Sequence, residues 1–552
     1  MNNATPLEAW LGAWLPARGA ARVQSCIRAL RAPWAGMAIL YAAWLALFLC
    51  MFAESWVSED AYITFRVIDN FLHGYGLRWN IDERVQVYTH PLWLLLHLPF
   101  AFLWDNLFHL NIALSLVCSG MAVGIVLLTF RKSPGITLSC FMLPLFLSKS
   151  FIDYSSSGLE TSLSFLLFSL FGYMLVRGQT HRLFPLAIAL LASLLLLNRL
   201  DHILMIAPVL AVLAWRHALK PCRVSTGLMI FAGALPLLCW FGFSFFYYGF
   251  FFPNTKYAKL DTGFPLSEYI AQGLEYSFIW LTQDTASVVT VAALLLLAFI
   301  NRRRIPATTK ALAIGILINI AYVITIGGDY MMGRFFAFIF FVAAWLLLAT
   351  IPPRARPDLL FVAALCLSLA WAGSYFVRDI RLSCQECVPM VGRVRDARWT
   401  FRNNALFSSY WPLKMRVEGE YKFARDGKKL AQENPPPVKP LRYVGMVGYY
   451  AGPGAVIIDQ LGLGDPLLSR LPAMTDRPFY VGHYRRRVPK GYITAMQTGD
   501  LGAMDPHLAR YYERLRFITR GDLWNKDRLI TTLQFNLGKF DAERDAFLQP
   551  PR

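Results

Sequence analysis

Charge is what this chain has least of. Only 16% of its 552 residues are Asp, Glu, Lys or Arg, against 56% hydrophobic and 15% aromatic, where soluble domains carry about 25% charged residues. With a mean hydropathy of +0.42, an ordinary water-soluble enzyme is excluded. Cysteine is also sparse: nine in all, with Cys118, Cys140, Cys239 and Cys366 inside apolar runs. That scatter excludes a disulfide scaffold or a cysteine metal cage. Cys384 and Cys387 stand apart, and their spacing is open to a local disulfide or to two free thiols. No internal repeat or low-complexity tract is present, which excludes fibrous and disordered classes. Acidic residues number 35 against 54 basic ones, a net charge of +19. No motif or groove accompanies that excess, so a nucleic-acid partner is not expected.

What the chain does have is a series of apolar runs of about 20 residues, the length that crosses a bilayer core. The basic residues fall in short loops between them: Arg18 to Arg31, Arg131-Lys132, Arg177 to Arg182, Arg216 to Arg223, Arg302 to Arg304 and Arg354 with Arg356. Short basic loops are cytoplasmic by the positive-inside rule. The expected spans are Trp34 to Phe52, Leu110 to Phe130, Gly135 to Ser148, Thr161 to Val176, Leu183 to Asn198, Ile203 to Trp215, Gly227 to Tyr247, Ser277 to Ile300, Lys310 to Ile326, Phe335 to Thr350 and Leu359 to Phe376, about eleven. Pro91 to Trp104 is too short to cross and reads as an interfacial helix. The first run has no small-residue cleavage site behind it and reads as an anchor rather than a signal peptide.

The expected organisation is a cytoplasmic basic segment 1–33, a transmembrane module 34–377 with a first outer loop 54–109, and an extracytoplasmic domain 378–552. The last carries 29 basic and 18 acidic residues. It is expected to be of α/β type, with strands at Tyr443 to Val447 and Val456 to Ile458 and turns at Gly452 to Gly454 and Gly462 to Asp465.

Ionisable side chains are costly at membrane depth, and here they gather at the outer ends of the spans. Glu59 and Asp60 follow the first span, and His90 precedes the interfacial helix. Glu160, Arg199 and Asp201, Lys256 with Lys259, and Asp329 with Arg334 complete the set. A carboxylate can take a proton or steady a cationic sugar, and Arg66, Arg199, Lys256, Lys259 and Arg334 can hold a leaving phosphate. Each also has a plainer reading: Arg199–Asp201 and Asp329–Arg334 as structural pairs, the two lysines as interfacial anchors, and Ser157 to Glu160 as a helix-capping box. A transporter would place polar groups at mid-membrane and on both faces, which is not the pattern.

The ordered set Glu59-Asp60-Ala61-Tyr62-Ile63-Thr64-Phe65-Arg66, Gly74-Tyr75-Gly76-Leu77, Ser157-Gly158-Leu159-Glu160-Thr161, Pro253-Asn254-Thr255-Lys256-Tyr257-Ala258-Lys259, Gly327-Gly328-Asp329-Tyr330-Met331-Met332-Gly333-Arg334 and Ile458-Asp459-Gln460-Leu461-Gly462-Leu463-Gly464-Asp465 resembles membrane-embedded GT-C glycosyltransferases. The similarity is to the terminal arabinofuranosyltransferases of mycobacteria and the related bacterial and pilin arabinosyltransferases. The resemblance implies a helical polytopic GT-C-like membrane protein of the bacterial inner membrane, with Asp60 as catalytic carboxylate and Glu59 beside it where the family usually has a second aspartate. Beside that resemblance, the chemistry of the residues themselves places the expected donor phosphate and sugar site at Arg66, Arg199, Lys256, Tyr257, Lys259 and Arg334, with Tyr62, His90, Glu160, Asp201 and Asp329 around it. The donor would be polyprenyl-phosphate arabinose and the acceptor a glycan or glycoprotein outside the membrane. A mannose, other hexose or lipid-modifying transferase on the same scaffold is the alternative, and a lipid-linked sugar transporter is a more remote one. No cofactor is implied; a divalent metal is compatible with the site but not called for.

Overall fold

The structure is a computed structural model that describes residues 33–133, 137–218, 224–260, 262–351, 390–401, 405–406 and 421–549. Basic residues 18–31, the expected span 359–376, and Cys384 with Cys387 lie outside the described residues. Four helices are long and apolar enough to cross a bilayer by themselves: α1 (Pro33–Ala53), α4 (Leu107–Phe130), α10 (Val224–Tyr248) and α14 (Ala307–Thr325). Between them run α2 (Ala61–Leu72), α3 (Pro91–Ala101), α5 (Leu143–Leu147), α6 (Lys149–Tyr154), α7 (Thr161–Arg177), α8 (Phe184–Asn198), α9 (Ile203–Ala218), α11 (Asn254–Leu260), α12 (Leu266–Gln283) and α13 (Thr285–Ile300). The helix α15 (Arg334–Thr350) is packed by α6, α7, α13 and α14 and is buried along most of its length. At 17 residues and about 1.5 Å of rise each, α15 falls short of a full bilayer core. It is the buried helix on which these four pack.

Two of the eleven expected spans have a different form. The run 135–148 is interrupted: a π-helical turn (Leu138–Met142) precedes α5, and Ser148 leaves the helical region to cap α6 through its own hydroxyl. The run 277–300 is two helices, because α12 and α13 meet at 101°. Both breaks converge on Asp284. Its carboxylate accepts from Ser150 N at 2.8 Å, Ser287 Oγ at 2.8 Å and Ser148 Oγ at 3.3 Å, and it caps the start of α13. Broken helix ends leave backbone groups unpaired, and a buried carboxylate with hydroxyl neighbours satisfies them. By length and composition the described spans therefore number four, or five with the bent pair counted once; α3, α7, α8 and α15 are apolar but shorter.

The C-terminal segment contributes β1 (Met390–Val391), β2 (Val394–Arg395), α16 (Ala397–Thr400), α17 (Lys422–Ala431), β3 (Val438–Leu441), α18 (Gly445–Tyr450), β4 (Val456–Asp459), α19 (Tyr492–Thr498), α20 (Pro506–Arg520), α21 (Lys526–Asn536) and α22 (Asp541–Leu548). Strand order is minimal: β1 pairs antiparallel with β2, and β3 pairs in parallel with β4. The expected strand at Val456 to Ile458 is β4, whereas the one expected at Tyr443 to Val447 is two residues of irregular backbone followed by the first turn of the helix α18. Apolar alternation misleads there because Gly445 and Gly448 let the helix lie close to α2. A Cβ at Gly445 would meet the Glu59 backbone oxygen at 2.1 Å. Val444, Met446 and Ala451 share one core with α2 and α15, so this segment continues the packing of the membrane-facing part.

Replacing Asp284 by Ala leaves the Ser150 and Ser287 amides without their carboxylate acceptor and the Ser148 and Ser287 hydroxyls with only each other to donate to, and a loss of about 1–3 kcal/mol follows. The thermal midpoint in detergent is expected to fall by several degrees, with Asp284→Asn retaining most of it.

Candidate active site

Glu160 is the node. It stands at the N-terminus of α7, fully buried, yet makes no side-chain cap there, so the capping box suggested by Ser157 to Glu160 does not form. Its carboxylate turns inward instead. Arg199 donates Nη1 to Glu160 Oε1 at 2.9 Å, Arg334 Nη2 lies 3.6 Å from the same oxygen, and His90 Nδ1 lies 3.2 Å from Oε2. Asn198 donates to the Glu160 carbonyl at 2.8 Å. Burial would raise this carboxyl, but His90, Arg334 and Arg199 outweigh it and hold Glu160 well below the usual carboxylate range. His90 in turn meets Thr64 Oγ1 at 2.9 Å through its second nitrogen.

Each arginine then reaches outward. Arg199 forks onto Asp201 at 2.9 and 2.6 Å. Arg334 donates to Asp329 at 3.1 Å and lies 3.7 Å from Asp60 Oδ2. The turn at Gly327 and Gly328, both left-handed, sets Asp329 in place, and a Cβ on Gly328 would strike the Tyr276 ring at 2.4 Å. Asp60 heads α2 with its side chain 31% exposed. Tyr330 donates its hydroxyl to Asp60 Oδ1 at 3.3 Å. Withdrawal from water pushes Asp60 above the usual carboxylate range, against the pull of Arg334, His483 and Lys259. Lys259 is exposed on α11 and makes no hydrogen bond or salt bridge of its own among the described residues.

Asp60, His90, Glu160, Arg199, Asp201, Asp329 and Arg334 are thus brought together, with Lys259 at the edge. Four expected members are placed elsewhere. Arg66 donates to the backbone carbonyls of Trp79 at 2.6 Å and Ala455 at 2.7 Å, and to that of Gly448, so its guanidinium is engaged in holding α2 to the C-terminal segment. Tyr62 packs against Tyr449 and Tyr450 of α18. Lys256 is exposed and stacks over Phe252 at 3.6 Å, and Tyr257 lies under the Arg470 guanidinium at 4.5 Å.

Glu59 and Asp60 have separate surroundings. Glu59 accepts from Gly445 N at 2.7 Å and Met446 N at 3.1 Å at the start of α18. Burial and the neighbouring Asp60 raise its carboxyl to about 8.

Tyr330 and His483 are two further members of the site with little sequence signal of their own. Tyr330 lies inside the Gly327 to Arg334 string between charged residues. His483, edge-on to Tyr330 at 4.6 Å, comes from a turn about 150 residues downstream with no motif around it. Burial lowers His483. Asp459 and Asp465 shape turns by accepting from Leu461, Gly464, Leu467 and Leu468 amides. Asn254 ties α11 to that loop through the carbonyls of Gly462, Leu463 and Asp465. Among the described residues no three His, Cys, Asp or Glu side chains group closely enough to hold a metal.

Two predictions follow from these environments. Glu160→Gln removes the anion from between two arginines and should cost about 3–5 kcal/mol, lowering the thermal midpoint sharply, whereas Asp60→Asn, one-third exposed, should leave it nearly unchanged. Because Glu59 titrates near 8 when folded and near 4.5 when unfolded, the folded state holds the extra proton between those values. Stability attributable to Glu59 is therefore full below about pH 4.5 and is lost as pH rises toward 8. Melting from pH 5 to 8.5 should show a fall in wild type that Glu59→Gln flattens.

No family profile matches the chain, and no solved structure matches it. The chain is 26% identical over 387 residues to the terminal beta-(1->2)-arabinofuranosyltransferase of Corynebacterium glutamicum, an alignment that takes in 62% of this chain. It spans about half, 54%, of that relative's length. The sequence is thus a distant relative of a curated arabinofuranosyltransferase, in keeping with the resemblance carried by its motifs.

Proposed function

We propose that this protein is a multi-pass inner-membrane glycosyltransferase that moves an arabinofuranosyl group from a polyprenyl-phosphate donor to a glycan or glycoprotein outside the cytoplasm. The observation that carries the proposal is the state of Asp60. Within its cluster Glu160 and Asp201 are each held by a guanidinium at 2.9 Å or less, while Asp60 is partly exposed, raised above the usual carboxylate range, and 3.7 Å from its nearest cation. A carboxylate in that condition can accept a proton at working pH.

In this reading the bond between the sugar's anomeric carbon and the phosphate oxygen breaks, and negative charge grows on the phosphate as the sugar takes on oxocarbenium character. Lys259, exposed and without a hydrogen bond or ion pair among the described residues, is the cation available to the phosphate. Arg334 and Arg199, anchored by Glu160, supply a fixed positive field behind it. The acceptor hydroxyl attacks the anomeric carbon and gives its proton to Asp60. Tyr330 orients the carboxylate through its hydroxyl, with His483 edge-on behind the Tyr330 ring. The distant relative's printed activity supports a sugar transfer of this kind; the outer-face placement rests on the basic loops of the sequence.

The test is transfer from short synthetic polyprenyl-phosphate arabinofuranose, beside the mannose and glucose analogues, by purified protein in detergent. Asp60→Asn should reduce kcat at least about 100-fold with donor binding kept, and Lys259→Gln should chiefly raise KM for the donor. Transfer of mannose or glucose in place of arabinose would retain the transferase reading and remove the arabinose assignment.

A further inference from the structure

We propose that helix α21 is a membrane seat, lying in the phospholipid headgroup region around the C-terminal end of α10 with its exposed apolar stripe turned into the acyl chains. The proposal rests on α10 crossing the bilayer and not on the sugar transfer. The polarity of α21 is inverted for a helix on a watery surface. It buries Arg528, Thr531, Thr532 and Phe535, while Ile530, Leu533 and, just past its end, Leu537 are 51%, 52% and 84% exposed. At about 100° per residue the three exposed aliphatic residues fall within about 60° of one another, and the buried four fall on the opposite side. Trp524, before the start of the helix, is 79% exposed. Lys526 and Lys539, also exposed, stand at the two ends of the stripe.

What covers that stripe follows from where the helix is docked. The buried Arg528 guanidinium donates to the Ile518 carbonyl at 2.9 Å and to the carbonyls of Phe246 at 2.9 Å and Tyr247 at 3.1 Å. The last two belong to the final turn of α10, whose carbonyls have no acceptor role left within the helix. Asn536 donates to the Gly249 carbonyl at 2.8 Å, and the Trp524 ring packs on Phe246 at 5.0 Å. Phe246 follows Leu228 by 18 residues, about five whole turns. It therefore continues the stripe of Leu228, Phe231, Leu235 and Leu238 that α10 leaves exposed, the side that faces lipid when α10 spans a bilayer. Trp524 and α21 thus stand where the lipid-facing side of α10 ends. An aromatic ring and flanking lysines suit the headgroup level there, and an aliphatic stripe suits the acyl chains beneath it. The stripe offers a dissolved sugar or phosphate no hydrogen-bonding group. On the buried face Phe535 meets the Phe250 ring at 5.8 Å, in the turn that leads to α11, so the seat also sets the depth of α11 and of Lys259 with it.

The experiment uses the full-length protein in nanodiscs of phosphatidylcholine and phosphatidylglycerol, doped with phosphatidylcholine that carries a diazirine either near the glycerol or at the end of one acyl chain. After illumination and trypsin digestion, lipid adducts are mapped by mass spectrometry on the peptide 529–539 and on those of α10. The glycerol-proximal probe should label 529–539, and the terminal probe should label α10 but not 529–539. The double variant Leu533→Asp, Leu537→Asp, at positions too exposed for folding to depend on them, should lower the 529–539 adduct at least about tenfold. Its α10 labelling and its thermal midpoint in detergent should be those of wild type. Adducts on α10 with none on 529–539 would overturn the seat while leaving α10 in the membrane, and adducts on neither would overturn both. Equal 529–539 adducts in wild type and the double variant would also overturn the seat. A dimer that the double variant disperses, with 529–539 unlabelled by lipid, would assign the stripe to a second copy of the chain and overturn it as well. The expected labelling in a protein that transfers no sugar would uphold the seat.

Discussion

Everything at the candidate site depends on one buried carboxylate. Glu160 has no access to water, and an ionised carboxylate there is tolerated only with cations and donors around it. Arg199, Arg334 and His90 answer that requirement from three different parts of the chain. Satisfying it fixes the ends of α7, α8 and α15 and the entry to α3 at a common point. The aspartates outside this inner set then divide by what remains for them. Asp201 and Asp329 are taken up by the outward faces of the two arginines, and Asp60, at the head of α2, is left partly exposed.

A second constraint acts on the irregular backbone around the site. The strands of the C-terminal segment are two to four residues long, so many of its amides and carbonyls have no ladder partner and must be satisfied by side chains. Long polar side chains do this across large sequence separations. Arg66 takes carbonyls of the C-terminal segment, Glu59 takes the first amides of α18, and Asn254 takes three carbonyls of one loop. Arg486 binds the carbonyls of Leu461, Leu471 and Tyr484. These contacts explain why charged residues inside recognisable motifs need not touch a substrate. They also hold the C-terminal segment against the site, which is how His483 comes to stand beside Tyr330.

The helical, membrane-type character of the chain was legible because it depends on composition and run length, which need no partner. The collection of Glu160, Arg199, Asp201, Asp329 and Arg334 was also legible, since ionisable groups at the ends of apolar runs are few and costly. Less could be read where the outcome turns on contacts. The runs at 135–148 and 277–300 are apolar enough to suggest straight spans, but Asp284 can organise two helix breaks only when the folded chain brings Ser148 and Ser150 to it. Tyr443 to Val447 looked like a strand because its pattern suits either element, and the close approach of Gly445 to Glu59 is a tertiary fact.

The sequence by itself determined the material from which the protein is made: apolar helices, basic loops, and a small set of charges confined to helix ends. It could not assign roles to chemically equivalent residues. Glu59 and Asp60 are adjacent carboxylates, and Arg66 and Arg334 are both arginines beside motif aromatics. Only the tertiary structure decided that Glu59 caps α18 while Asp60 stays partly exposed beside Arg334 and Tyr330, and that Arg66 binds backbone while Arg334 joins the ionic cluster. The physical reason is that a charge acts through whatever lies within a few ångströms of it, and that neighbourhood is assembled from segments hundreds of residues apart.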